Sequence, residues 1–188
     1  INIIWGYIML PFYYAFPGIS WYLIFQLVLI NISLILVSYM LLKEMERPIA
    51  LLLIAILLTF FADDAYILVQ FTKTAMLAVM GGGIVFVWAL FENKSWKLKW
   101  GSALICLAGT LIRFYVIYIA GGFLLFILIV EFVRLFQKER KEETFKKRIL
   151  WIMIPGILVI VVAFGMDKFD DYIYNQNEEY RFFREYGE

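Results

Sequence analysis

Long apolar stretches alternate with short polar ones along this chain of 188 residues. A helix rises about 1.5 Å per residue, so about 20 apolar residues cross a hydrocarbon layer of about 30 Å. The apolar stretches are 21–42, 49–61, a third that begins at 65 or 74 and ends at 91, 101–130, and 149–166. The second has only 13 residues, and the fourth has 30, too many for one straight crossing. This pattern predicts an all-α polytopic bundle of transmembrane helices.

Basic residues cluster between these stretches, and their positions predict the topology. Twelve of the 17 Lys and Arg residues lie in the loops 43–48, 92–100 and 131–148. Cytoplasmic loops carry an excess of Lys and Arg. If all three loops are cytoplasmic, 49–91 and 101–130 each form a hairpin, which gives about six crossings in a multi-pass cell-membrane protein. In the alternative, 101–130 is a single kinked span, and everything after it changes sides.

The polar and aromatic ends of the chain suggest three regions. Residues 1–20 are rich in aromatics and contain two prolines, as expected of an outer interfacial segment or of the end of an earlier span. Residues 21–166 form the transmembrane helical domain. Residues 167–188 are acidic and aromatic, and we expect an extracytoplasmic tail with an amphipathic helix. The chain begins at Ile1 and ends inside a polar segment, so we expect a fragment truncated at both ends.

Composition narrows the chemistry further. Hydrophobic residues make up 64% of the chain, well above a soluble domain, so membrane lipids are expected partners. The 17 basic residues are balanced by 16 acidic ones without a basic face, which argues against nucleic acid as a partner. With no His and one Cys, the common zinc, haem and copper sites, a disulfide framework and His-based triads are excluded.

Asp63 and Asp64 follow the short second stretch directly, at the predicted outer surface. Carboxylates at that depth are costly unless they are solvated or paired. They are candidates for a general base, a ligand of a divalent cation or an anchor for a sugar hydroxyl. The alternative is an ordinary polar turn between two helices.

Lys73 lies at the start of the third span. A lysine at that level binds a phosphate as a point charge, or it extends its ammonium group to the interface as an anchor.

Arg113 interrupts the fourth apolar stretch, with uncharged residues for more than ten positions on each side. An arginine there must be solvated, paired or bound to an anion. Two interpretations stay open. Arg113 holds a phosphate or pyrophosphate of a lipid-linked substrate, or it forms a structural ion pair with Asp63 or Asp64.

Small residues recur at a spacing of four, which lets helix backbones approach closely. They are Ser102, Cys106 and Thr110 in one stretch and Ala78 and Gly82 in another. We interpret them as packing positions rather than as a catalytic site around Cys106.

Three short motifs resemble bacterial polytopic membrane proteins of the GT-C glycosyltransferase and polysaccharide polymerase type. They are QFTKTA at 70–75, GTLIRF at 109–114 and YNQNEEYR at 174–181. The resemblance extends over most of 21–188.

This resemblance implies a protein of cell-envelope polysaccharide assembly that acts on a polyprenyl-phosphate-linked sugar at the outer face. It implies that Asp63 or Asp64 is the general base or a metal ligand; if it is a metal ligand, the cofactor is a divalent cation. It also implies that Arg113 and Lys73 bind the lipid phosphate. The family's main acid usually lies in an outer loop after the first span, so the assignment to Asp63 or Asp64 departs from its pattern. The alternative is a non-enzymatic transporter component or scaffold with a structural Arg–Asp pair.

Overall fold

The computed structural model describes residues 2–67, 69–139 and 145–176, with side chains described except at 62–64, 138, 139 and 145–147. The described chain is helical and contains no strand. Its helices are α1 (Ile3–Ala15), α2 (Trp21–Glu44), α3 (Arg47–Leu57), a π-helical turn (Leu58–Ala62), α4 (Asp63–Ile67), α5 (Phe71–Phe91), α6 (Trp96–Ile112), α7 (Val116–Glu139) and α8 (Phe145–Asn175).

Five of these helical segments are long and apolar enough to cross a membrane. They are Trp21–Glu44, Arg47–Ile67, Phe71–Phe91, Val116–Gln137 and Arg148–Asn175. α6 is not among these five; it has 17 residues and packs antiparallel along α5, between the same two ends of the bundle. The predicted all-α polytopic bundle with about six traverses is therefore confirmed.

The stretch 101–130 is a hairpin, and the single kinked span is wrong. Gly82 approaches Ser102 and Cys106, whereas Gly109 approaches Ala75, so α6 runs antiparallel to α5. α7 then runs parallel to α5, because Gly83 contacts Leu124 and the end of α5 packs with a later part of α7. α6 begins before residue 101 and α7 ends after residue 130, so both helices are longer than their share of the apolar stretch. This extra length allows the stretch of 30 apolar residues to form two helices that each cross the bundle.

The first hairpin is also longer than its apolar stretch. Pro48 lies in the first turn of α3, where its missing N–H costs no helical hydrogen bond. The helix then continues through the π-helical turn into α4, a run of 21 residues. The backbone of Asp63 and Asp64 is therefore helical, and the connection to α5 comes several residues later.

The three basic loops lie at one end of the bundle, which we call the basic end. Lys94 Nζ is 3.2 Å from Glu44 Oε1, which joins the first loop to the second. Arg148 Nη2 donates to the Phe91 carbonyl at 2.7 Å, which joins the third. The opposite end, called the site end, contains the start of α1, the connection from α4 to α5 and the turn from α6 to α7. The cytoplasmic orientation of the basic end stays a prediction.

α5 is the central helix, with most of its side chains buried among α2, α6 and α7. A Cβ atom on Gly82 would lie 2.6 Å from the Cys106 backbone nitrogen, and one on Gly109 would lie 2.8 Å from the Ala75 carbonyl oxygen. The predicted close packing through small residues is confirmed. Thr74 Oγ1 lies 3.1 Å from Gln26 Oε1, so a buried hydrogen bond joins α5 to α2.

The two terminal regions meet at the site end. Trp5 and Met9 of α1 are buried in the bundle core. α8 continues without a break through Met166 to Asn175, so the first nine residues of the predicted tail extend a spanning helix. The predicted amphipathic segment beyond 176 lies outside the described residues.

Candidate functional site

Arg113 leaves the bundle where α6 ends. Ile112 and Val116 on either side are buried, whereas the Arg113 side chain is exposed in an extended residue between two helices. Its Nη1 donates to Thr72 Oγ1 at 2.7 Å, and its guanidinium carbon lies 5.1 Å from the centre of the Phe71 ring. A hydrogen bond and a cation–π contact thus hold the guanidinium against the start of α5.

A cavity of about 470 Å³ lies at this end of the bundle, and we call it the polar cavity. It contains one guanidinium, three carboxylates and several aromatic rings. Its lining residues are Asn2, Phe71, Thr110, Leu111, Ile112, Arg113, Phe114, Tyr115, Tyr118, Asp167, Asp170 and Asp171. Among these described residues Arg113 is the only cation, so the formal charge of the lining is negative.

The three carboxylates come from α8. Asp167, Asp170 and Asp171 are spaced by three and four residues, which places them on one face of the helix. Asp170 Oδ1 accepts a hydrogen bond from the Ile3 backbone N–H at 2.6 Å. Lys168 pairs with Asp171 at 3.5 Å. The end of α8 therefore presents an acidic face to the turn that carries Arg113.

Asn2 fixes this arrangement by joining three elements. Its backbone N–H donates to the Leu111 carbonyl at 2.9 Å, and its Nδ2 donates to the Met166 carbonyl at 3.0 Å. Its Oδ1 accepts from the Ile4 N–H, which caps α1. The buried Asn2 thus holds the end of α6 and the acidic end of α8 at a set distance.

A second cavity, of about 490 Å³, lies among α2, the α3–α4 segment, α5 and α7, and we call it the apolar cavity. Most of its lining is aliphatic, aromatic or thioether, with Thr72 and Lys73 at the site end. The lining residues are Ser33, Leu34, Val37, Leu57, Phe61, Ala65, Thr72, Lys73, Met76, Leu77, Met80, Gly81, Ile84, Val116 and Ile119. Thr72 lines this cavity while its hydroxyl binds Arg113, so the two cavities adjoin at that residue.

The predicted site residues are divided between the two cavities. Arg113 lines the polar cavity and Lys73 the apolar one, so they lie at the same end without sharing a cavity. The backbone of Asp63 and Asp64 lies between Phe61 and Ala65, two lining residues of the apolar cavity. Their carboxylates lie outside the described residues, so their catalytic role and their pairing with Arg113 stay predictions.

Sequence reasoning missed three carboxylates that line the same cavity as Arg113. Asp167, Asp170 and Asp171 were assigned to the acidic tail but not to a site. Their spacing was a usable signal, because acids at i, i+3 and i+4 on one helix all lie on the same face of that helix. Across the side chains that the structure describes, no group of three His, Cys, Asp or Glu residues is arranged to hold a metal ion.

Comparison of the chain with protein-family models, with curated proteins and with solved structures gives no significant match.

Proposed function

We propose that this chain acts in cell-envelope polysaccharide assembly as a membrane glycosyltransferase whose donor is a sugar linked to a polyprenyl phosphate. The observation that carries the proposal is the polar cavity, in which a guanidinium and three carboxylates line one space at the end opposite the basic loops. The adjoining apolar cavity supports it, because a lipid-linked donor needs both a polar and an apolar environment.

The carboxylates and the arginine of the polar cavity have different roles in the proposed reaction. A carboxylate of the cavity removes the proton from the acceptor hydroxyl, and the acceptor oxygen bonds to the anomeric carbon of the sugar. The bond from that carbon to the phosphate oxygen breaks, and its electron pair leaves with the lipid phosphate. Arg113 stabilises the charge that develops there, as a planar donor suited to phosphate.

The distribution of charge in the cavity sets the orientation of the donor. Three carboxylates repel a phosphate, so the phosphate belongs at the Arg113–Thr72 side and the sugar at the α8 side. Carboxylates also accept hydrogen bonds from sugar hydroxyls. Asp63 and Asp64 remain candidates for the base or for a divalent cation site, beside the three acids of α8.

The test is sugar release in proteoliposomes. The full chain is supplied with undecaprenyl phosphate that carries a radiolabelled hexose or N-acetylhexosamine and with an unlabelled oligosaccharide as the acceptor, and loss of label from the lipid is measured. We expect Arg113→Ala to lower the rate by about 10²–10³-fold. We expect at least one of Asp167→Asn, Asp170→Asn and Asp171→Asn to lower it by about 10²-fold or more.

The matched control is Arg134→Ala, which removes an exposed arginine that pairs with Glu131 on the same helix. It should leave the rate unchanged. Asparagine keeps the oxygen that accepts the Ile3 N–H, so Asp170→Asn preserves that contact. Absence of release by the unmodified chain, or equal rates in all the variants, would favour the non-enzymatic transporter or scaffold.

A further inference from the structure

The apolar cavity is elongated along α5. Its lining residues on that helix recur as Thr72, Met76, Met80 and Ile84, one helical turn apart. From the first of these to the last is a rise of about 18 Å. The cavity therefore starts at the site end and reaches well into the part of the bundle that a membrane's hydrocarbon layer would surround.

The lining is polar at one end only. Below Thr72 and Lys73 the described lining is apolar apart from Ser33, whose hydroxyl donates to the Leu29 carbonyl at 2.7 Å. Such a lining gives water almost no hydrogen-bond partners. Hydrocarbon, which needs no hydrogen bonds, fits the length and chemistry of the space.

The polar end suits an anionic group. Lys73 belongs to the lining there, and Arg113 reaches the same point from the polar cavity through its bond to Thr72. Two cations at the polar end of the apolar cavity complement a molecule with one negatively charged head group and one hydrocarbon chain.

We propose that the apolar cavity holds the chain of a single-chain lipid phosphate, with the phosphate at Thr72 between Lys73 and Arg113. The inference rests on the proposed function, because it gives the lipid part of the donor a position separate from the sugar. The cavity receives the part of the chain next to the phosphate, and the remainder continues into the bilayer. The apolar cavity accommodates a single hydrocarbon chain, so a diacyl phospholipid, which has two, fits it less well.

The test is photo-crosslinking in proteoliposomes. The probe is undecaprenyl phosphate with a diazirine in the isoprene unit next to the phosphate, and labelled peptides are located by mass spectrometry. We expect label on α5 and α7 at residues that line the apolar cavity. Unlabelled undecaprenyl phosphate should compete for the site, whereas undecaprenol, which lacks the phosphate, should compete poorly.

A matched pair of variants on α7 tests the cavity itself. Ile119 lines the cavity and Phe123, one turn further on, is outside its described lining; both side chains are exposed, at 64% and 59%. Ile119→Trp fills the apolar cavity and should lower labelling about tenfold, whereas Phe123→Trp should not. Equal thermal unfolding of the two variants shows that any difference reflects the cavity rather than folding.

The outcomes separate this inference from the proposed function. Sugar release with label only outside the cavity, or with no effect of Ile119→Trp on labelling, overturns the inference alone. Labelling in the cavity without sugar release overturns the transferase and leaves the lipid site. Competition by dioleoyl phosphatidic acid as effective as that by undecaprenyl phosphate overturns the assignment to a single-chain lipid.

Discussion

Gly82→Ala tests the closest helix contact in the bundle. The new Cβ atom would lie 2.6 Å from the Cys106 backbone nitrogen and 2.7 Å from the Ser102 carbonyl oxygen, where ordinary contact begins at 3.4 Å. Both partners are backbone atoms that no rotamer change can move. α5 and α6 must therefore separate by several tenths of an ångström along their shared length.

The matched control is Gly122→Ala on α7, where the added Cβ meets no described atom within 4 Å. Both substitutions gain about 1 kcal/mol of helix propensity, so this gain cancels in the comparison. The remaining difference is the cost of overpacking, about 1–3 kcal/mol. At about 2–4 °C per kcal/mol for a chain of this size, Gly82→Ala should unfold several degrees below Gly122→Ala.

Cys106 supplies the assay, because its thiol is buried at the same contact. A fluorogenic maleimide reacts with it only when α5 and α6 come apart, and tryptophan fluorescence gives a second readout during heating. If Gly82→Ala unfolds at or above the temperature of Gly122→Ala, the two backbones are not in contact and the packing argument fails.

Three further predictions concern the bundle and its orientation. Thr74→Val removes the hydroxyl that binds the buried Gln26 and should lower the free energy of unfolding by about 1 kcal/mol, whereas Thr74→Ser keeps the hydroxyl and should retain stability. Equal losses of stability in the two variants would show that the hydrogen bond is not the cause. Lys94→Ala removes the ion pair with Glu44 and the contact with the Trp88 ring, whose centre lies 4.7 Å from the ammonium nitrogen. The unfolding free energy should fall by less than about 1 kcal/mol, and the loss should be smaller at high salt. A loss that does not depend on salt would contradict the ionic explanation. Tyr115 and Trp96 lie at opposite ends of the bundle, and their side chains are 70% and 67% exposed. On intact cells an impermeant maleimide should label Tyr115→Cys from outside and should label Trp96→Cys only after permeabilisation. The reverse pattern would show that the topology is inverted.

The helices themselves follow from the sequence because of local physical constraints. Backbone groups in hydrocarbon must be hydrogen-bonded within the segment, so long apolar stretches become helices whatever surrounds them. Arg113 marked the turn of the second hairpin because a lone charge in a 30-residue apolar stretch is costly anywhere but at an end. The helix ends were less accurate, because α6, α7 and α8 extend into polar residues that hydropathy alone assigns to loops.

The site depended on tertiary packing. Thr72 and Lys73 both line the apolar cavity, yet consecutive helix residues point about 100° apart, and it is the Thr72 hydroxyl that binds Arg113 of the polar cavity. Which way each faces depends on how α5 is rotated among its neighbours.

The sequence by itself determined an all-helical chain of about six traverses, its second hairpin turn and its division into a basic end and an opposite end. These depend on length, hydropathy and charge, which are properties of contiguous residues. Only the tertiary structure decided that Asp167, Asp170 and Asp171 line one cavity with Arg113, more than 50 positions away. Contacts between distant segments depend on how each helix is rotated and how far it is shifted, and close packing of small residues and buried caps such as Asn2 sets both.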